Sequence, residues 1–327
     1  MTINKVIFGG ETLVDLTNDT VSPDTLAKGV TAHDKTGASI VGTMSSGGGG
    51  ADPGRFGANY DFWIGVVDAN GKLDFIPSSN PVDLVFTGVK DVGSRVFNGI
   101  FYLRNSGRIN SASFPDLEYV TGGYAFNQAF SWNSGITSIS FPKLKHISGD
   151  NAFYRICYVN SNLTEVSFPS LLTVTGGLVF YGAFANNANL TSLSFPVLTQ
   201  IGSDTQTFWA NGGETFREVV SSPNKCTTLS FPELTAIYCT GNSNSNGTFV
   251  YNDTLQRIDF PKLSVIDKSP AYTGSVSLVA HKNIFYGCSK LTEIHFGAAN
   301  QAAIEATEGY PTLWGRGAGN ATVYFDL

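Results

Sequence analysis

Apolar residues recur through the middle of the chain in a fixed order. One lies five residues before a phenylalanine, one two before it, and others three and six after it, with polar residues between. The phenylalanines are Phe114, Phe141, Phe168, Phe195, Phe231 and Phe260, each followed by proline, at intervals of 27, 27, 27, 36 and 29 residues. A period of that length predicts a solenoid, in which each unit buries its apolar face only against its neighbours. Leu163 and Val166 before Phe168, stopped by Pro169, predict a short strand, because proline cannot donate to a ladder. That strand stacks on its counterpart in the next unit.

Twelve residues past the phenylalanine a second aromatic recurs at Phe126, Phe153 and Phe180, and four further on come Phe130, Cys157 and Phe184. These fill the width of the coil and give an aromatic core that needs no cofactor. Phe208 falls near the second-aromatic register of its unit. Worn copies flank the set, with Phe86, Val89 and Val92 before it and Leu291, Ile294 and Phe296 after it, as caps require.

The flanks divide the rest. Residues 1–44 read as a small α+β attachment and oligomerisation segment, with strands near 5–8, 12–16 and 39–43 and a helical turn over 22–29 that has Pro23 at its first position and Gly29 at its end. Residues 45–54 are a Gly-rich linker. Residues 55–80 read as a capping hairpin turned by Asn70-Gly71. The array covers 81–297, and 298–327 form a C-terminal cap with a short helix near 300–306 and a last strand over 321–327. The fold class is thus mainly β with short helical turns, a solenoid of about eight repeats.

Charged residues are 14% of the chain against 42% apolar, which describes a folded, neutral-polar surface. A net charge of -6 with scattered Lys and Arg argues against nucleic acid as a partner. No apolar run reaches the roughly 18 residues of a membrane span, and Met1 to Lys5 opens no signal-peptide core, so no general secretion is expected. Cys157, Cys226, Cys239 and Cys288 form no CxxC pair, and Cys226 replaces a repeat leucine, so they read as thiols, not ligands. His33, His146, His281 and His295 pair with no nucleophile, and no zinc or nucleotide motif is present. His33 beside Asp34 could orient a metal on a symmetry axis, but a turn hydrogen bond explains it better. Acidic residues at repeat slots, Asp116, Glu165, Glu233 and Glu293, read as solvated surface, not as a hydrolytic carboxylate pair. The expectation is a non-enzyme with no cofactor and no metal.

Three units are swollen, over 202–224, 238–253 and 267–283. Insertions in a solenoid emerge as loops, often on one face. Aromatics among Asn, Ser and Gly suit adaptable recognition surfaces, which makes Trp209, Asn211, Tyr238, Asn242, Asn244, Tyr251 and Tyr272 the candidate receptor-binding residues.

The repeat pattern, and above all Phe285 to Ile294, resembles the BspA-like, or Treponema-type, leucine-rich-repeat family, although the earlier units are longer and lack the Gly287-Cys288 pair. The resemblance implies a short-strand concave sheet, a role in adhesion to cells and matrix, and no catalytic residues. Residues 11–44 resemble the N-terminal segment of tail, baseplate and fibre proteins of phages and prophages of Gram-positive bacteria. Asp15, Leu16, Thr17, Pro23, Gly29, His33, Asp34 and Gly37 are among the matching positions. That implies attachment to phage tail or baseplate proteins through residues 1–44, a location on the virion, and a homo-oligomer, with a trimer favoured. The combined expectation is a tail-tip or fibre-like protein binding a host cell-surface glycan or protein. A bacterial surface adhesin and an envelope glycan depolymerase remain the alternatives.

Overall fold

The computed structural model describes residues 5–8, 11–15, 22, 31–36, 38–41, 55–56, 82–86, 88–99, 101–102, 109–203, 214–238, 247–267, 284–307, 310 and 321–327. The chain divides into two units, one built on residues 1–51 and 59–75, the other on 52–58 and 76–327.

In the first unit β1 (Lys5–Phe8) pairs antiparallel with β2 (Glu11–Asp15), and β3 (Thr31–His33) with β4 (Ser39–Val41). Within the expected polar turn at 33–37, residues 34–36 therefore lie at the tip of a hairpin, and Gly37 lies outside the described residues. The helical turn expected over 22–29 lies outside the described residues except for Ser22.

The second unit is a mainly β solenoid of about seven turns. Each turn opens with the expected strand before the repeat phenylalanine. These strands are β6 (Val82–Val85), β8 (Ile109–Ser113), β10 (Ser138–Ser140), β12 (Glu165–Ser167), β14 (Ser192–Ser194), β16 (Thr228–Ser230), β18 (Arg257–Phe260) and β20 (Glu293–Phe296), and β21 (Thr322–Phe325) adds a parallel strand after β20. They form a parallel ladder in three pieces, interrupted between β10 and β12 and between β14 and β16.

A second ladder, which the repeat pattern had not announced, is longer and unbroken. It runs through β5 (Arg55–Phe56), β7 (Asp91–Val92), β9 (Tyr119–Val120), β11 (His146–Ile147), β13 (Thr173–Val174), β15 (Gln200–Ile201), β17 (Ala236–Tyr238) and β19 (Val265–Asp267), all parallel. Its inward residues are the apolar positions six after each phenylalanine, such as Val120, Ile147, Val174 and Ile201, all buried. Apart from β5, which begins this ladder, the capping hairpin expected over 55–80 lies outside the described residues.

The third side is not helical. It is a succession of tight turns whose N–H groups bond the next turn of the coil, as Phe126 N–H does to Ala152 O (2.7 Å) and Phe153 N–H to Val179 O (3.0 Å). In the first four turns every fourth residue there is left-handed, as at Tyr124, Gln128 and Trp132, and in the later turns one such residue remains, and these residues stack. Gly99, Gln128, Arg155, Gly182, Glu218, Tyr251 and Gly287 form one column, with φ from 49 to 76°. A non-glycine residue held there costs about 1–3 kcal/mol, and the cross-coil hydrogen bonds hold it in place. Among the described residues, helical conformation is found at Glu214, which is 3-10, and in the expected C-terminal cap, as a 3-10 turn (Ala298–Asn300) and α1 (Gln301–Glu305).

Two columns of phenylalanine fill the interior. Phe86, Phe114, Phe141, Phe168, Phe195, Phe231, Phe260 and Phe296 stack with centroids 4.5–5.7 Å apart. Phe97, Phe126, Phe153, Phe180, Phe216, Phe249 and Phe285 make the second column. Between columns the rings meet nearly edge to face, as at Phe97 and Phe114 (87°) and Phe195 and Phe216 (86°). The expected second aromatic after Phe195 was Phe208, but Phe216 holds that place, because the intervening insertion enters ahead of the aromatic. Phe208 lies outside the described residues.

Two further columns are polar or lack a side chain. Asn133, Asn160, Asn187 and Asn252 are buried at the corner before the first strand. Asn133 N–H donates to Asn160 Oδ1 (2.7 Å), Asn160 N–H donates to Asn187 Oδ1, and Asn160 Nδ2 donates to Phe130 O (3.0 Å). At the corner after the second ladder, Gly122 and Gly149 let successive turns touch through their backbones. A Cβ on Gly149 would lie 2.0 Å from Gly122 O.

Two stability predictions follow from these corners. Gly149→Ala must push two turns of backbone apart and should cost about 3 kcal/mol or more, whereas Gly123→Ala, whose Cβ would meet nothing closer than Asp150 O at 3.4 Å, should cost less than about 1 kcal/mol in urea unfolding. Asn160→Ala strands the Asn133 N–H and the Phe130 carbonyl and should cost about 2–4 kcal/mol in the same measurement.

Candidate functional site

In the regular turns the chain crosses from the second ladder to the turn side in three residues, 121–123, 148–150 and 175–177. The three swollen units depart from this rule at one place. Their extra residues all enter at that same corner, between β15 and Glu214, between β17 and Gly247, and between β19 and Ile284. Because β15, β17 and β19 are hydrogen-bonded neighbours, the insertions leave the coil from adjacent points.

Immediately past that corner the turn side carries an aromatic and cationic stripe. The guanidinium of Arg217 lies over the rings of Tyr181 (4.8 Å) and Tyr251 (4.7 Å), and Tyr251 meets Tyr286 edge on at 5.3 Å. Arg155 lies over Tyr154, Tyr158 and Tyr181 at 5.0–5.7 Å. Tyr158 adjoins Trp132 (6.2 Å), and Arg95 covers Tyr124 (5.6 Å). Each such contact contributes on the order of 0.5–2 kcal/mol. Glu214 and Glu218 neutralise Arg217 at 2.7 and 3.2 Å, and burial raises the Glu214 carboxyl above its ordinary range despite that partner.

The sequence candidates are placed unevenly. Tyr238 ends β17, half-buried and in register with Asp267. Tyr251 belongs to the left-handed column on the turn side, so the two tyrosines that bracket the second insertion stand on different sides of the coil. Trp209, Asn211, Asn242, Asn244 and Tyr272 lie outside the described residues, as do Pro23, Gly29 and Gly37. Asp15 ends β2, in register with Lys5. His33 is exposed in β3, and Asp34 makes the expected turn, its Oδ1 accepting from Thr36 N–H (2.8 Å), Thr36 Oγ1 (2.6 Å) and Ala38 N–H (3.1 Å). These bonds lower the carboxyl below its ordinary range. The residues that the sequence reading missed are Tyr154, Tyr158, Tyr181, Arg155 and Arg217. The doublets Phe153-Tyr154, Phe180-Tyr181 and Phe285-Tyr286, with one ring turned in and one out, were the available signal.

Other chemistry-bearing groups are engaged in cross-coil contacts. His146 Nδ1 is 2.9 Å from Thr173 Oγ1 and the ring stacks on Tyr119, with burial lowering its basicity. His295 lies between Asp326 (2.7 Å) and Glu293 (3.3 Å) and stacks on Tyr324. Asp116 pairs with Lys143 and Glu233 with Lys262, each one turn further along. A shallow groove of about 420 Å³ follows the break between β10 and β12, lined by Ser138, Ser140, Glu165, Ser167, Ser192 and Ser194.

No family model matches the chain, and no curated protein matches it. A solved structure, a leucine-rich repeat protein from Bacteroides ovatus, is similar over 76% of this chain and 70% of its own, at 17% identity and a TM-score of 0.29. So low a score leaves the case for the solenoid with the chain's own ladders.

Cys157, Cys226 and Cys288 are free and buried, and burial pushes the Cys288 thiol up to about 12 and the Cys157 thiol higher still. Thiolate, the reactive form, is therefore scarce at neutral pH. Iodoacetamide at pH 8 should leave these three unmodified in the native chain and label them fully in urea, as peptide mass spectrometry would show.

Proposed function

We propose that the chain is a non-enzymatic recognition subunit of a phage or prophage tail tip, attached through residues 1–44 and binding a host cell-surface glycan or protein through the solenoid. The observation that carries the binding part is the common exit of the three insertions. The three adjacent turns gain residues only there, although the turn side is shortened between Phe249 and Phe260 and between Phe285 and Phe296, and recognition residues concentrate on loops that a rigid scaffold positions. The aromatic and Asn-rich composition of those segments suits polar contacts and ring stacking. The attachment part is supported by the resemblance of residues 11–44 to tail and baseplate segments and by the separate unit that the first 51 residues help to build. Several copies on one particle would raise avidity above the affinity of one.

The test uses the whole chain on cells and isolated envelopes of Gram-positive bacteria. Trp209→Ala together with Tyr272→Ala should reduce adsorption about tenfold or more with the urea midpoint unchanged. Removing residues 1–44 should abolish co-assembly with tail parts while adsorption of the solenoid persists. Undiminished adsorption of the double variant would move recognition away from the insertions, and co-assembly without residues 1–44 would move the attachment.

A further inference from the structure

We propose that Arg155 and the tyrosines around it form a site for the anionic group of an acidic cell-surface glycan, whose neighbouring sugar units stack on the rings of the turn side. This deepens the recognition reading above and rests on it for the source of the glycan, though not for the chemistry of the site.

Arg155 and Arg217 occupy neighbouring places in the same stripe but differ in charge balance. Arg217 has two carboxylates against its guanidinium. Arg155 has none within 4.0 Å among the described residues, and its Nε is buried without a hydrogen-bond partner. Three tyrosine rings hold its guanidinium instead, and Gly182 on the next turn, where a Cβ would lie 3.1 Å from Arg155 Cγ, makes room for its stem. A planar guanidinium with uncommitted N–H groups is the side chain best matched to a carboxylate or phosphate, through paired, charge-assisted hydrogen bonds. The rings of Tyr154, Tyr158 and Tyr181 around it carry hydroxyls as further hydrogen-bonding groups.

The surroundings suit a sugar chain. Trp132 is 44% exposed and Tyr124 39% exposed, large ring areas left open beside Tyr158 and Arg95. Rings that are apolar on their faces and polar at their edges bind surfaces of alternating C–H and O–H groups, which is the character of a pyranose. With a net charge of -6 the chain as a whole repels polyanions, so binding of one requires a local cation that the protein has left unneutralised. Arg155 is such a cation.

The anionic group could be a uronic-acid carboxylate or a phosphodiester on a polyol chain, and the probes separate these sources. The full chain is titrated with polygalacturonic acid, with poly(glycerol phosphate) and with neutral dextran. Native protein should bind one or both anionic polymers, weakening as salt is raised, and should not bind dextran. Arg155→Gly should weaken that binding about tenfold or more. It should also fold, because the left-handed column already carries glycine at Gly99, Gly182 and Gly287. Arg155→Lys, which keeps the charge and loses the fork, should fall between. Unchanged affinity in Arg155→Gly, equal binding of dextran, or no binding of either polyanion by native protein would overturn the site. Envelope adsorption that protease destroys and Arg155→Gly leaves intact would also overturn it, while keeping the recognition reading with a protein receptor. Arg155-dependent binding of a polyanion by a chain that adsorbs to no envelope would keep the site and sink the tail-tip reading.

Discussion

The constraint on which this structure depends is that a phenylalanine ring stacked on the ring below it needs nearly the same separation as two hydrogen-bonded parallel strands. Strands in a ladder lie about 4.8 Å apart, and the rings of the two interior columns repeat at 4.5–5.8 Å. Successive turns can therefore satisfy backbone and core together. Where the period is 27 residues the match holds in the core and along the second ladder, although the first ladder is interrupted between β10 and β12. Where it lengthens, the core register is kept by Phe216, Phe249 and Phe285, and the surplus is expelled at one corner.

That division separates what is fixed from what varies. The interior columns, the buried asparagines and the glycine corner leave little latitude, since a change in one turn is felt by the turns on either side. Outward positions carry no such burden. On the ladder faces they hold cross-coil ion pairs such as Lys143 with Asp116 (2.9 Å), which lie at the surface and contribute little stability. On the turn side they hold the tyrosines and arginines, and this stripe begins where the insertions end, since Arg217, Tyr251 and Tyr286 each follow one of them within five residues. Under the function proposed above, the insertions and the stripe would belong to one recognition surface.

The sequence announced the repeat, the strand before each Phe-Pro pair, the second aromatic column at Phe126, Phe153 and Phe180, and both worn ends. These features share a cause, because a buried ring at a fixed register leaves an unmistakable period. Other features left weaker traces. The unbroken second ladder rests on two-residue strands such as His146–Ile147, too short to show alternation. The left-handed columns are hidden wherever the residue is not glycine, as at Gln128 and Val159, since the hydrogen bonds of neighbouring turns impose that conformation and local preference does not. The asparagine column was open to view as an Asn three residues before Ile136, Leu163, Leu190 and Leu255. Tyr251 was singled out as a neighbour of an insertion, but its partners Arg217 and Tyr286 come from adjacent turns, and only the stacking of the coil brings them together.

The central claim, that a phenylalanine-stacked scaffold presents one recognition corner and the stripe beside it, is tested most directly by amide hydrogen exchange of the full chain with and without isolated host envelope. The account predicts that binding slows exchange at the residues flanking the corner and along the stripe, in 154–158, 181–182, 214–218, 247–251 and 286–287. It also predicts that the serine-lined face over 138–140, 165–167 and 192–194 stays unchanged. Protection confined to that serine face would contradict it.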